Sequence, residues 1–417
     1  MRITTVNESK RTLSALSLTD MSRRALHQLL GRLSVGFLVI EEDGQVSHFG
    51  NPKDERIRAT IRVNDPQAWL TLLKDGSTGA GEAYMHGYWD TPDLLAVVRL
   101  FVCNMHTLQA MGQKQPLWRK AAGKLFHLLR SNTRDGSKRN IAAHYDLSND
   151  FFSLFLDQTM AYSSGIFRSE TDSLQDASVN KFDRICQQLQ LGPKDHLLEI
   201  GTGWGGLAIH AARHYGCRVT TTTISHEQYR HACDWVEREG LADRITLLEK
   251  DYRELEGRFD KLVSVEMIEA VGVKFYDDYF RTCSSLLKPD GLMLIQAITI
   301  SDQRFEQSVN SIDFIKRYIF PGGQLPSNAV IADKVATQTD MQIIDLKDIT
   351  LDYAKTLACW RERFWQRIDE VRQLGCDDLF IRMWQYYLCF CEGGFRERVI
   401  HTAQVLMAKP AFRQDAD

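Results

Sequence analysis

At 417 residues, 44% hydrophobic, 25% charged and with a net charge of −3, the chain has the size and balance of a globular protein of two domains. That balance gives no bulk attraction to nucleic acid or to a membrane, so any such attraction must come from a local cluster. No apolar run approaches the roughly 18 residues of a membrane span. Met1–Lys10 is polar, and nine scattered cysteines show no CxxC pair, so a cytoplasmic chain with neither metal site nor disulfide framework is expected.

In chain order, Leu26, Leu29, Leu30 and Leu33 recur at helical spacing and predict a helix over about 20–34, with Asp20 as a cap. Strand-like runs follow at 36–40, 46–49 and 57–63, the first two joined by a turn at Asp43-Gly44. Helical stretches complete a small α+β domain over residues 1–112. Residues 113–140 form the most basic stretch, with Lys120, Lys124 and Arg130 among leucines at helical spacing. Such a helix lies on an anionic lipid surface or packs one face on its own protein.

The stretch Met160-Ala-Tyr-Ser-Ser-Gly-Ile-Phe167 mixes aromatics with hydroxyls, which suits either a pocket wall or a core. An aromatic face attracts a sulfonium. From 196 onward strands alternate with helices. Strands are predicted at 197–200, 218–223, 245–248, 260–265 and 291–298, with helices at 205–214, 226–239 and 275–287. This alternation predicts a doubly wound, mostly parallel sheet. Residues 311–330 read as a pocket-covering insertion, helices follow at 353–372 and 377–392, and a final strand at 399–407.

The first strand of that region, Leu197-Leu-Glu-Ile200, runs into Gly201-Thr-Gly-Trp-Gly-Gly206. Glycines without a Cβ let the backbone turn sharply and approach a ligand. Similar turns serve NAD, FAD and phosphate. This one is GxGxG rather than GxGxxG, lacks the Lys-Ser/Thr of a phosphate loop, and follows an acid, so it fits an S-adenosylmethionine loop better.

With His144-Tyr-Asp-Leu-Ser-Asn-Asp150, Tyr162-Ser163, Ser264-Val-Glu-Met-Ile-Glu269, Tyr318-Ile-Phe-Pro-Gly-Gly323 and Tyr387-Leu-Cys-Phe-Cys-Glu-Gly-Gly-Phe395, the chain resembles the cyclopropane-fatty-acid synthase family and its mycolic-acid relatives over nearly its whole length. Gly81-Glu-Ala-Tyr-Met-His-Gly-Tyr-Trp-Asp90 looks like the first domain of the bacterial lipid synthases. The resemblance implies a class I methyltransferase domain, Rossmann-like, over 141–417. It implies methyl transfer from S-adenosylmethionine to a cis double bond in a phospholipid acyl chain, followed by proton loss and ring closure. It also implies a bicarbonate ion for that step, a peripheral place on the bilayer's inner face, and a homodimer.

Carried over by motif, Tyr162, Ser163, Leu198, Glu199, Gly201, Thr202, Gly203, Trp204 and Gly205 match cofactor contacts, as do Thr223, Ser225, Gln228, Asp251 and Tyr252. Glu269 and Tyr353 match bicarbonate ligands, Ile298 a backbone contact, and Cys391 a cysteine proposed as catalytic. A structural hydrogen-bond pair is the other reading of Glu269 and Tyr353, and a buried apolar side chain that of Cys391. The chain departs from the family at Ser164, where cysteine is frequent, at Ala270, where histidine is usual, and at Gln296, where a histidine would hold the ion. Those departures leave open a methyl or methylene branch without a ring, methylation of a soluble amine, and lipid binding without catalysis.

Overall fold

The computed structural model describes residues 6–109 and 148–413, with side chains placed from residue 18 onward. The basic stretch 113–140 and the motif residues 144–147 lie outside the described residues. The chain divides into two units. One comprises Met1–Arg119, Ile312–Phe314 and Gly375–Glu397; the other comprises Lys120–Ser311, Ile315–Leu374 and Arg398–Asp417. The first unit thus takes in two segments that the sequence reading left in the methyltransferase domain.

The first unit is built on a four-stranded sheet of order β2-β1-β3-β4, with β1 Phe37–Glu42, β2 Gln45–Gly50, β3 Arg58–Val63 and β4 Trp89–Asp90. The β1–β2 hairpin turns at Asp43 and Gly44, both at positive φ, as a two-residue loop requires. The first helix runs Val6–Leu30, so Asp20 lies inside it and pairs with Arg23 at 3.0 Å instead of capping it. Helix Leu94–Cys103 is capped by Asp93, whose carboxylate accepts from Ala96 N–H at 2.9 Å. Helix Asp378–Arg396 joins this unit through close approaches that a side chain would block. A Cβ on Gly393 would stand 2.6 Å from Val98 Cγ1, and one on Gly81 2.9 Å from Tyr386 Cε1.

The second unit is a seven-stranded sheet of order β10-β11-β9-β8-β5-β6-β7. Its strands are β5 His196–Ile200, β6 Arg218–Thr223, β7 Ile245–Glu249, β8 Phe259–Val265, β9 Leu287–Ile300, β10 Gln342–Asp348 and β11 Ile400–Ala408. Strands β7, β6, β5, β8 and β9 pair in parallel, while β11 runs antiparallel to β9 and β10 antiparallel to β11. Apolar layers cover both faces. Leu198, Ile200, Leu262, Met293 and Ile295 lie on one side; Leu197, Val219, Val263, Leu292 and Leu294 lie on the other. The near-continuous apolar runs of β5, β8 and β9 follow from burial on both faces.

The sequence reading placed the parallel strands within a few residues but missed β10. All seven residues of β10 are exposed, and its register shifts between Ile343 and Asp345, so no inward alternation marks it. The predicted helix 205–214 is an α-turn, Gly206–His210, continued by a π-turn, Ala211–Tyr215. Connections reverse between β5 and β8, which opens a crevice at the carboxyl ends of these strands.

Candidate active site

The glycine turn leaves β5 at that crevice. Gly201, Gly203 and Gly205 all have positive φ, at 100°, 53° and 100°. Nothing lies within 4 Å of where a Cβ on Gly203 would stand, so that position is open as well as left-handed. Gly206 is held differently, since a Cβ there would sit 2.5 Å from the Thr159 carbonyl oxygen. Behind the turn, buried Glu199 accepts from Thr221 Oγ1 at 2.6 Å, and Thr221 meets Thr202 Oγ1 at 2.7 Å. Burial pushes the Glu199 carboxyl up to about 8.

Thr223, Ser225 and Gln228 come together at the end of β6. Thr223 Oγ1 donates to Gln228 Oε1 at 3.0 Å, and Ser225 caps the following helix. Asp251 is engaged by Arg253, whose Nε and Nη2 donate to its two carboxylate oxygens at 2.8 and 2.5 Å. The Tyr252 ring stands edge-on to Tyr279 at 5.5 Å.

The Tyr162 ring lies 5.2 Å from both Phe152 and Trp360, and Phe152 lies 5.0 Å from Trp204. Trp204 Nε1 donates to Asn149 Oδ1 at 2.7 Å. These rings form a water-poor wall beside the turn. Ser163 Oγ accepts from Lys181 Nζ at 2.6 Å. Lys181 is fully buried, and burial pulls its ammonium down to about 8 against the attraction of Glu266, Asp157 and Glu199.

The next residue, Ser164, opens a second cluster. Its backbone N–H donates to Glu266 Oε1 at 2.9 Å. Gln296 Nε2 donates to the same oxygen at 2.8 Å, and Tyr353 Oη donates to Oε2 at 2.9 Å. Tyr353 therefore serves Glu266. Glu269 takes the Ile298 backbone N–H on Oε1, while its buried Oε2 has no hydrogen-bond partner among the described residues. Burial pushes Glu269 up to about 8, with Glu266 adding to the shift. Glu266 is also raised by burial, but its donors and Lys181 oppose the change. Ala270 is exposed and offers the cluster nothing. The loop Pro321–Gln324 docks on Glu269, since Gln324 N–H donates to the Glu269 carbonyl at 2.8 Å.

Sequence reasoning missed Glu266, although it lies within a quoted motif. The signal was present: a carboxylate directly after an apolar strand at a switch point. Its φ is +49°. For a residue with a Cβ, that conformation costs about 1–2 kcal/mol. Gln404, also missed, lies opposite Gln296 in the β9–β11 register and donates to Gln296 Oε1 at 3.0 Å. Cys391 belongs to the other unit, on helix Asp378–Arg396, and burial raises its thiol further from ionisation. No group of acids, histidines and cysteines suited to a metal occurs among the described residues.

The sheet order, the glycine turn at its switch point and the half-buried carboxyls beside it define a class I methyltransferase. The sequence profile described as mycolic acid cyclopropane synthetase matches residues 132–405, and the chain belongs to that family of S-adenosylmethionine-dependent enzymes. It is 38% identical over 375 residues to tuberculostearic acid methyltransferase UfaA1 of Mycobacterium tuberculosis, covering 88% of this chain and 86% of that one. It is 38% identical over 355 residues to the cyclopropane-fatty-acyl-phospholipid synthase of Escherichia coli K12, covering 84% and 88%. Among solved structures, mycolic acid cyclopropane synthase CmaA1, complexed with SAH and CTAB, superposes with a TM-score of 0.61 at 30% identity, over 65% of this chain and 98% of that one. Coclaurine N-methyltransferase, at 19% identity and a TM-score of 0.60 over 78% and 98%, shares the fold.

Proposed function

We propose that the chain methylates the cis double bond of an unsaturated phospholipid acyl chain and closes a cyclopropane ring. It would act peripherally at the cytoplasmic membrane face. The observation that carries this reading is the pair of half-buried carboxyls, Glu266 and Glu269, the first held by the N–H of Ser164, one residue beyond the Tyr162–Ser163 segment, and both beside the glycine turn.

The left-handed glycine turn, open at Gly203, fits an adenosyl ligand approached by backbone, and Tyr162 with Trp204 offers ring faces to a cation. S-adenosylmethionine supplies an electrophilic methyl on a sulfonium. An alkene has no proton to lose, so no base can activate it, and the chain's contribution to the first step is alignment and exclusion of water. The aromatic wall of Phe152, Tyr162, Trp204 and Trp360 serves that purpose, because water would quench the cation as an alcohol. The second step needs a base beside the new methyl.

A second reading, a methylene or methyl branch, is favoured by Gln296 on β9, where the family resemblance leads one to expect histidine. The ring and the methylene branch each lose one proton from the transferred methyl, whereas a saturated methyl branch would need a separate two-electron reductant. The branch arises when a 1,2-hydride shift outruns ring closure. The test is incubation with dioleoylphosphatidylglycerol vesicles and S-adenosylmethionine, followed by NMR of the extracted lipid, for wild type and Gln296→His. Ring protons support the first reading and exocyclic olefin protons the second. Absence of any one-carbon adduct refutes both. Membrane docking through 113–140 predicts that Lys120→Glu, Lys124→Glu and Arg130→Glu together reduce co-sedimentation with anionic vesicles.

A further inference from the structure

Glu266 stands where nothing but its carboxylate explains its presence. It sits at a left-handed position, φ +49°, immediately after β8, where glycine would rest without strain. Strain of this kind persists where the surroundings enforce it and function uses it. Here the surroundings are three donors converging on one carboxyl: Ser164 N–H, the Gln296 amide and the Tyr353 hydroxyl, at 2.9, 2.8 and 2.9 Å. They are the kinds of donor that would hold a small carboxylic anion.

The direction of the Gln296 amide is fixed from outside the pocket. Arg184 has only donors, and its Nε bonds Gln404 Oε1 at 2.9 Å. The Gln404 amide nitrogen must then face Gln296 Oε1, which turns the Gln296 nitrogen toward Glu266. Gln296 is completely buried and cannot turn to water. Every hydrogen-bond partner of Glu266 among the described residues is thus a donor, and such a site favours a carboxylate over a carboxylic acid. Glu269 has a single donor and a bare oxygen, so of the two it is the one that keeps a proton.

We propose that Glu266 is a built-in carboxylate that fills the anion position of this site and acts as the general base on the methylated acyl chain, so that the protein works without bicarbonate. This rests on the acyl-methylation reading above. Once the methyl is on the chain and the adjacent carbon is cationic, Glu266 takes a proton from that methyl. The C–H electron pair becomes the new C–C bond of the ring, or the C=C bond of a methylene after hydride shift. The proton resides on Glu266 and passes to bulk water as product leaves. No oxidant, reductant or free anion enters the balance.

The test has an activity arm and a binding arm. In carbon-dioxide-free buffer, wild type turns over dioleoylphosphatidylglycerol vesicles at the same rate with and without added bicarbonate. Glu266→Gln loses at least about 100-fold, the usual scale for removing a general base. Glu266→Gly loses as much but regains activity with formate or bicarbonate, because it leaves an anion-sized space lined by the same donors. In the binding arm, 13C NMR detects labelled bicarbonate on Glu266→Gly and not on wild type, and formate raises the melting temperature of that variant alone. Wild-type dependence on bicarbonate, bicarbonate bound to wild type, or an active Glu266→Gln overturns the proposal. If wild type makes no lipid adduct at all, the acyl-methylation reading fails, and the binding arm still decides whether Glu266 occupies the anion position.

Discussion

The glycine turn and the carboxyl cluster lie side by side at the carboxyl ends of the same strands, yet they are made in different ways. The turn is six consecutive residues, Gly201 to Gly206, whose backbone does the work. The cluster draws Ser164, Glu266, Glu269, Gln296, Ile298 and Tyr353 from four separate segments and works through side-chain direction. A site made of backbone is written locally. A site made of convergent side chains exists only once the strands are in register, and its chemistry can change by one substitution while the fold stays.

The sharpest way to break this comparison is to damage the turn. Gly203→Val forces a β-branched residue into a left-handed conformation and puts its side chain into open space beside the turn. Affinity for S-adenosylhomocysteine, measured calorimetrically, should fall roughly 100-fold or more while the fold survives. Unchanged affinity would remove the cofactor assignment.

A smaller effect is expected from the support of the cluster. Gln404→Leu frees the Gln296 amide to turn, so turnover should fall about tenfold while S-adenosylhomocysteine affinity stays as it was. Equal losses in both would make Gln404 merely structural.

The pH dependence of stability sharpens the contrast further. Glu269 is raised from 4.5 to about 8, so the folded state holds a proton that the unfolded chain releases. Its contribution is fully present below about 4.5 and is lost as pH rises through 8. The urea midpoint of wild type should therefore drop between pH 5 and pH 8. Glu269→Gln should show a shallower drop, with Glu199 supplying the remainder in the same direction. Parallel slopes would refute the buried neutral acid.

The smallest expected effect lies in the other unit. Asp93→Ala removes the cap of helix Leu94–Cys103 and should cost about 1 kcal/mol. Cofactor affinity should not change, and a change would show coupling between the units.

What could be read from the sequence follows the same division. Strands β5, β6 and β8 declared themselves as apolar or β-branched runs, and the GxGxG spacing located the turn. Asp20 misled as a cap, because an acid inside a helix looks the same as one at its start. Glu266 went unremarked because no local pattern says which of two acids three residues apart will receive the donors. Lys181 drew no notice in the sequence, and only the packed helix shows it fully buried on Ser163. Segment Gly375–Glu397 reads as a continuation of the methyltransferase domain. Its glycines disclose their purpose only when Val98 is seen against Gly393.

Strand β10 has a consequence for how the protein survives crowding. It ends the seven-stranded order, so one side of its backbone has no strand partner among the described residues, and Ile343, Ile344 and Leu346 are exposed along it. A flat apolar margin of that kind invites a second molecule to zip on. The register slip after Ile343 and the alternation of Asp345, Lys347 and Asp348 spoil the template, which is how natural sheets keep an open margin from seeding aggregates.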